Sequence, residues 1–200
     1  MADLNSYANP NDSVIIVGAG VAGLFCALKA APRPVILLCP KLTGDCASRW
    51  AQGGVAAAFG ADDSPHKHLQ DTIVSGAGRV KTKAAKILVT EVPGVVDELI
   101  RLGVDFDRDA SGHLLRAKEA VHSKARMLRA GGDQIGLALL WALISAVRTS
   151  RHITVLEQTI VEDLLVCDGR ISGVLALCLD QQKRFTCLSS TTVLATGGCG

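Results

Sequence analysis

The sequence predicts an α/β fold, a doubly wound parallel sheet carrying a small antiparallel annex. Three observations carry that reading. A β-branched run, a glycine turn, a helix and a second apolar run follow one another within residues 13–39, the arrangement of a right-handed βαβ crossover. Helical apolar periods fill the middle of the chain. From Ile153 onward the period shortens to that of strands separated by turn residues.

The elements can be justified in order. Ser13-Val-Ile-Ile-Val17 is continuous and apolar, as a strand buried on both faces of a parallel sheet must be. Gly18 to Gly23 makes a turn, and Leu24 to Ala31 reads as a helix stopped by Pro32. Val35 to Cys39 is a second buried strand, and residues 43–63 are small, glycine-rich and aperiodic, as a long loop is. Ser64-Pro65 supplies an N-cap and a proline at the first helical position, with Leu69 and Ile73 on one face. Lys83 to Leu102 is helical in pattern, Pro93-Gly94 predicts a break or kink, and Gly103 a stop. Gly112 to Lys124 is polar and irregular, whereas Gln134 to Arg148 is apolar nearly all round, like a deeply packed helix. Ile153–Leu156, Val161–Val166, Ile171–Leu179 and Thr192–Ala195 read as strands, with Asp168-Gly169 as a hairpin turn.

Composition narrows the function. At roughly 150 residues per domain, 200 residues make about one domain or one and a fraction. With 48% hydrophobic residues the chain is no disordered tail. A net charge of +2 and 4% aromatics offer neither the basic footprint nor the stacking platforms that nucleic acid requires. The first twelve residues hold no Lys or Arg and read as no secretory signal, and the uncharged run 134–147 is too short to span a bilayer. Seven cysteines, none in a C-x-x-C pair, read as small buried hydrophobes in a reducing cytoplasm rather than as a zinc or disulfide framework. His66 and His68 beside Asp62, Asp63 and Asp71 fall on an exposed helix start without ligand spacing, so no metal is expected. No G-x-S-x-G occurs, which leaves nucleophilic hydrolysis unsupported. The apolar strand running into Thr196-Gly-Gly198 at the end of the sequence suggests a longer chain.

Gly18-Ala19-Gly20-Val21-Ala22-Gly23 is G-x-G-x-x-G in the context that gives it meaning, between a β-branched strand and a helix. Gly18 allows the tight turn, Gly20 admits a pyrophosphate to the backbone, and Gly23 lets helix and strand pack closely. The helix N-terminus then faces the phosphates. The second strand ends Leu38-Cys39-Pro40-Lys41, without the ribose-binding acid of a plain NAD site; Lys41 either offers charge to a phosphate or is simply solvated.

At Ala47-Ser48-Arg49-Trp50-Ala51-Gln52-Gly53-Gly54 the sequence resembles the flavoprotein family of L-aspartate oxidase, fumarate reductase and succinate dehydrogenase, and most of all its L-aspartate oxidase branch. The likeness continues through Asp71–Gly78, Leu102–Asp107, Lys118–Ser123, Ala130–Asp133 and Val193–Gly198, essentially the whole chain. It implies that residues 1–200 are the N-terminal part of a Rossmann-like FAD-binding domain, truncated before the capping and C-terminal helical domains. Gly18 to Gly23 would hold the pyrophosphate, Lys41 the adenosine half, and Ala47 to Gly54 the ribityl chain and isoalloxazine. Backbone at Ile160 and Val161 would meet adenine, and Ala195, Thr196 and Gly197 would close the nucleotide side.

In the dehydrogenase and many reductases a His five residues before the loop Gln carries FAD covalently. Here that position is Ala47, so the resemblance implies dissociable, non-covalent FAD. Glu119 matches the acid that orients the amino group of L-aspartate, its alternative being a solvated surface Glu; Lys118 and Ala120-Val121 depart from the family's usual Arg and Gly pair. The implied reaction is oxidation of L-aspartate to iminoaspartate, with O2 or fumarate as reoxidant, in the first step of NAD biosynthesis. It would be cytoplasmic, without a membrane span, and quinolinate synthase is a candidate partner. The alternatives are a non-catalytic FAD-binding remnant and a fumarate reductase-like fragment.

Overall fold

The structure, a computed structural model, describes residues 13–119 and 121–198. The N-terminal polar segment, Ala120 and Cys199 lie outside them. Two compact units divide the chain, Met1–Arg49 with Leu143–Gly200 and, interpolated between these, Trp50–Ala142.

The first unit is built on strands β1 (Val14–Val17), β2 (Val35–Leu38), β6 (Ile153–Leu156) and β10 (Thr192–Leu194), all parallel in the order β10-β1-β2-β6. Every residue of β1 and β2 is buried, which is why their sequences show no alternation. Helix α1 (Val21–Lys29) follows β1. It begins inside the glycine motif, at Val21 rather than Leu24, because Gly20 itself takes the extended N-cap conformation.

The antiparallel annex belongs to the same unit. It consists of β7 (Thr159–Cys167), β8 (Arg170–Cys178) and β9 (Lys183–Leu188), in that order. Asp168 and Gly169 both have positive φ, 50° and 72°, and Cys167 pairs with Arg170, so the predicted two-residue turn is present. Val174, Ala176, Phe185 and Cys187 of the annex pack against Ile15, Val17, Ile36 and Leu38. Each large apolar side chain fully buried there contributes about 1.5–3 kcal/mol. Strand β9 went unpredicted, although Phe185 and Cys187 point inward and their neighbours outward with the strand period.

The second unit contains helices α2 (Pro65–Ser75) and α3 (Thr82–Arg101) and a small sheet of β3 (Val55–Ala56), β5 (Met127–Leu128) and β4 (Arg116–Ala117) in that order. Ser64 caps α2 as expected, accepting from Lys67 N–H at 3.3 Å. The expected face is wrong, however: α2 buries His68, while Leu69 is half-buried and Ile73 exposed. Helix α3 runs through Pro93-Gly94 without a break. Its buried residues Ala85, Val89, Val96 and Leu99 recur at helical spacing on both sides of the proline, so packing along one stripe outweighs the lost hydrogen bond. Helix α4 (Ile135–Thr149) buries Ile135, Leu140, Leu143, Ile144 and Val147 and leaves Trp141 about half exposed.

Among the six described cysteines only Cys39 and Cys187 are buried, and Cys167 is exposed. The expectation of small buried hydrophobes holds for those two, while Cys26, Cys46 and Cys178 are half-buried. Among the described residues no helix is long and apolar enough to cross a membrane.

Candidate functional site

The end of β1 is pinned from both neighbours. Gly18 N–H donates to Leu38 O at 2.9 Å, and Ala195 N–H donates to Val17 O at 2.8 Å. The turn that follows has no room for side chains. At Gly18 (φ +107°) a Cβ would lie 2.3 Å from Ala195 O, and at Gly23 it would lie 1.9 Å from Gly18 O. These two glycines are therefore fixed by strand and helix packing. Gly20 differs: a Cβ there would meet only Ser48 Oγ, at 3.2 Å, and otherwise point into open space.

That space is a cavity of about 390 Å³. Its walls are Gly18–Gly20 and Ala22, the segment Cys39–Leu42 after β2, residues 44–48, and Ala195–Gly198 after β10. The N-terminus of α1 opens onto it, with no side-chain cap and no acid in the first turn. An anion is favoured at such an end by the unsatisfied N–H groups and the helix dipole. Ser48 Oγ accepts from Val21 N–H at 3.2 Å, which ties the turn Ala47–Trp50 to the same helix end.

Sequence reasoning missed Glu157. Its Oε1 accepts from Leu42 N–H at 2.7 Å and fixes the wall after β2. Cys39 lies in that wall with its thiol pushed up to about 12 by burial and then by Glu157, so it stays protonated and no nucleophile. Lys41 is exposed at the cavity.

The other expected residues are placed as follows. Arg49 is half-buried, its N–H donating to Cys46 O at 2.9 Å. Ile160 and Val161 lie on β7 outside the cavity wall, Ile160 exposed and Val161 packed on the annex core. In the second unit Trp50, Ala51, Gln52 and Gly53 are exposed. Ala51 O accepts from Gly136 N–H at 3.0 Å, and at Gly54 (φ +130°) a Cβ would lie 2.5 Å from Leu128 O. Glu119 accepts from Arg129 Nη2 at 2.9 Å.

The most constrained polar group of the second unit is Arg126, which sequence reading passed over. Its side chain is fully buried; Nε and Nη2 donate to Asp63 at 2.7 and 2.8 Å, and Nη1 donates to Asp71. Asp71 Oδ2 also accepts from Ser123 N–H and Oγ–H, each at 2.8 Å, which anchors the loop after Glu119. Burial pushes Asp71 up, but the Arg126 and Ser123 hydrogen bonds outweigh it and bring its carboxyl down to about 2. The Arg126 hydrogen bonds likewise hold Asp63 below the usual range. His68 lies edge-on to His122 at 5.3 Å, and burial, then Arg126 and His122, lower its pKa. The helix start is exposed at Asp62 and His66, as expected, but Asp63 and Asp71 belong to an ion-pair network around the buried Arg126. Among the described residues no group of His, Cys, Asp and Glu could hold a metal ion.

A family model described as an FAD binding domain matches residues 13–200. The chain belongs to that family. It is 42% identical over 198 residues to the L-aspartate oxidase of Agrobacterium fabrum, an overlap covering 98% of this chain and 38% of that protein. The L-aspartate oxidase of Streptomyces coelicolor is 42% identical over 194 residues, 94% of this chain and 33% of that one. Among solved structures, a mutant of E. coli quinol fumarate reductase FrdA matches with TM-score 0.87 and 26% identity, over 95% of this chain and 33% of that one. The Mycobacterium smegmatis Sdh1 complex matches with TM-score 0.86 and 27% identity, over 96% and 35%. The chain thus spans little more than a third of the length of these relatives.

The cofactor of this FAD-binding chain is FAD, and the cradle fits it. Gly20 keeps the helix end bare where a pyrophosphate would lie, and Gly197 and Gly198 leave open space across the cavity. The predicted α/β fold, with its parallel sheet and antiparallel annex, is the fold these flavoproteins have.

Proposed function

We propose that this chain is the FAD-binding part of an L-aspartate oxidase, which oxidises L-aspartate to iminoaspartate and is reoxidised by fumarate or O2. The observation that carries the reading is the 42% identity to an L-aspartate oxidase along 98% of the chain. Since the overlap is 38% of that relative, the capping and helical domains of such an enzyme would lie outside residues 1–200.

FAD, when bound, supplies the hydride acceptor. The N–H groups at the start of α1 would hold its pyrophosphate, and Lys41 would offer a cation on the adenosine side. Ala47 lines the cavity without an imidazole, which supports non-covalent binding. Glu119 would pair with the substrate ammonium and orient Cα, a task for which a carboxylate is suited. Iminoaspartate would pass to quinolinate synthase in NAD biosynthesis. Seven cysteines without a C-x-x-C pair accord with a reducing cytoplasm.

The test is to purify the chain, record its flavin absorbance, and follow fumarate or O2 consumption with L-aspartate. Bound flavin and aspartate-dependent consumption support the reading; a colourless chain that takes up no FAD sinks it. The alternative reading is a flavin-holding chain without catalysis. That reading expects yellow protein and no turnover.

A further inference from the structure

We propose that Arg129 decides which dicarboxylates the Glu119 site accepts: it neutralises Glu119 when the ligand has no amine and yields it when the ligand brings an ammonium group. The proposal rests on the L-aspartate reading above. Arg129 Nη2 and Glu119 Oε1 are 2.9 Å apart, with side chains 45% and 44% exposed. The backbone behind each partner is anchored. Arg129 O accepts from Asp107 N–H at 2.9 Å, while the Asp107 carboxylate accepts from Gly131 and Gly132 N–H at 2.8 and 3.2 Å. On the other side Glu119 O accepts from His122 N–H at 3.1 Å, and Ser123 is bound twice to Asp71. The carriers are fixed and only the side-chain tips are free to exchange partners.

That exchange is cheap, because a half-exposed ion pair contributes little to stability. Its consequences differ by ligand. A bare Glu119 would repel an amine-free dianion, whereas Glu119 paired with Arg129 presents no net charge to it. L-Aspartate brings its own cation, which replaces the guanidinium one for one on the same carboxylate. One site can then take both an amino dicarboxylate and an amine-free dicarboxylate, as an aspartate-oxidising, fumarate-reducing centre requires.

The experiment is calorimetric titration of the FAD-loaded chain with L-aspartate and, separately, with succinate as the amine-free probe. Arg129→Gln is expected to raise the succinate Kd ~10-fold and to leave the L-aspartate Kd within ~3-fold, because the repulsion from an unneutralised Glu119 falls on the amine-free ligand alone. Arg129→Lys should restore succinate binding. In a Glu119→Gln background Arg129→Gln should leave succinate binding unchanged, since no charge remains to be neutralised. A purely structural role for Arg129 would weaken both ligands together, and that result, or an unchanged succinate Kd, overturns the proposal while leaving the aspartate reading intact. If Glu119→Gln binds L-aspartate undiminished, the ammonium-binding role of Glu119 falls and this proposal with it.

Discussion

Replacing Arg126 by Met would test the buried network directly. Met fills much of the volume but carries no donor, so Asp63 loses two hydrogen bonds and Asp71 one. Asp63 retains Ser64 N–H at 2.8 Å, and Asp71 retains both Ser123 donors. With the Asp63 side chain 1% exposed and that of Asp71 16%, two carboxylates are left buried without their cation. Removing one partner of a buried pair costs about 3–5 kcal/mol, and the surviving donors place the loss near the lower figure. At a slope of about 2 kcal/mol per molar urea, the unfolding midpoint should fall by about 1.5 M.

The pH dependence has a definite sign. Asp71 in the folded chain is held at about 2 against an ordinary 3.8, so its pairing stabilises the fold above 3.8 and is lost as pH falls toward 2. Without Arg126, burial dominates and raises both carboxyls, so protonation relieves the variant. The gap between the two proteins should narrow as pH falls from about 7 to 4. Adding Asp63→Asn and Asp71→Asn to Arg126→Met removes the uncompensated charge and should recover most of the loss. Urea midpoints followed by circular dichroism decide it: a shift below about 0.5 M, or no recovery in the triple variant, would refute the reasoning.

Two other substitutions separate packing from binding in the glycine turn. Gly23→Ala drives a methyl into Gly18 O and should lower the thermal midpoint sharply, whereas Gly20→Val should leave the fold nearly unchanged and abolish flavin retention. A Gly20→Val protein that keeps its flavin absorbance would contradict the phosphate cradle. His68 gives a milder pH effect. Its folded pKa lies below the ordinary 6.5, so the unfolded chain binds the proton more readily and stability declines as pH drops below 6.5. His68→Gln should flatten the slope of urea midpoint against pH between about 7 and 5, and an unaltered slope would show that another group titrates.

What the sequence disclosed follows from where the physics is local. Burial on both faces writes itself into β1 and β2 as unbroken apolar runs, and the Asp168-Gly169 turn needs its two residue types side by side. The glycine motif was readable for the same reason. Arg126 was not, because a lone arginine reads as a solvated charge and its partners Asp63 and Asp71 lie 63 and 55 residues away. Glu157 shares that difficulty, its bond to Leu42 spanning 115 residues. Pro93 misled because its local penalty is visible in sequence while the stripe from Ala85 to Leu99 that overrides it becomes visible only when packed. In the candidate site, the cavity wall from Gly18 to Ala22 was legible, but the Arg129 partner of Glu119 was not.

The central strand has a consequence for how the chain acquires its structure. Strand β1 pairs on one side with β2, close by in sequence, and on the other with β10, near the opposite end of the described chain. The first pairing closes a short loop, but the second must wait until residues 192–194 have been synthesised, and contacts so remote in sequence form slowly. Until then one edge of the most apolar strand lies open to other chains. Pulse-labelled hydrogen exchange should show the order: Val14 and Gly18 N–H, bonded to Pro34 and Leu38 carbonyls, become protected early, and Ile15 N–H, bonded to Thr191 O, last. The glycine turn after β1 therefore sets only when Ala195 arrives against Gly18.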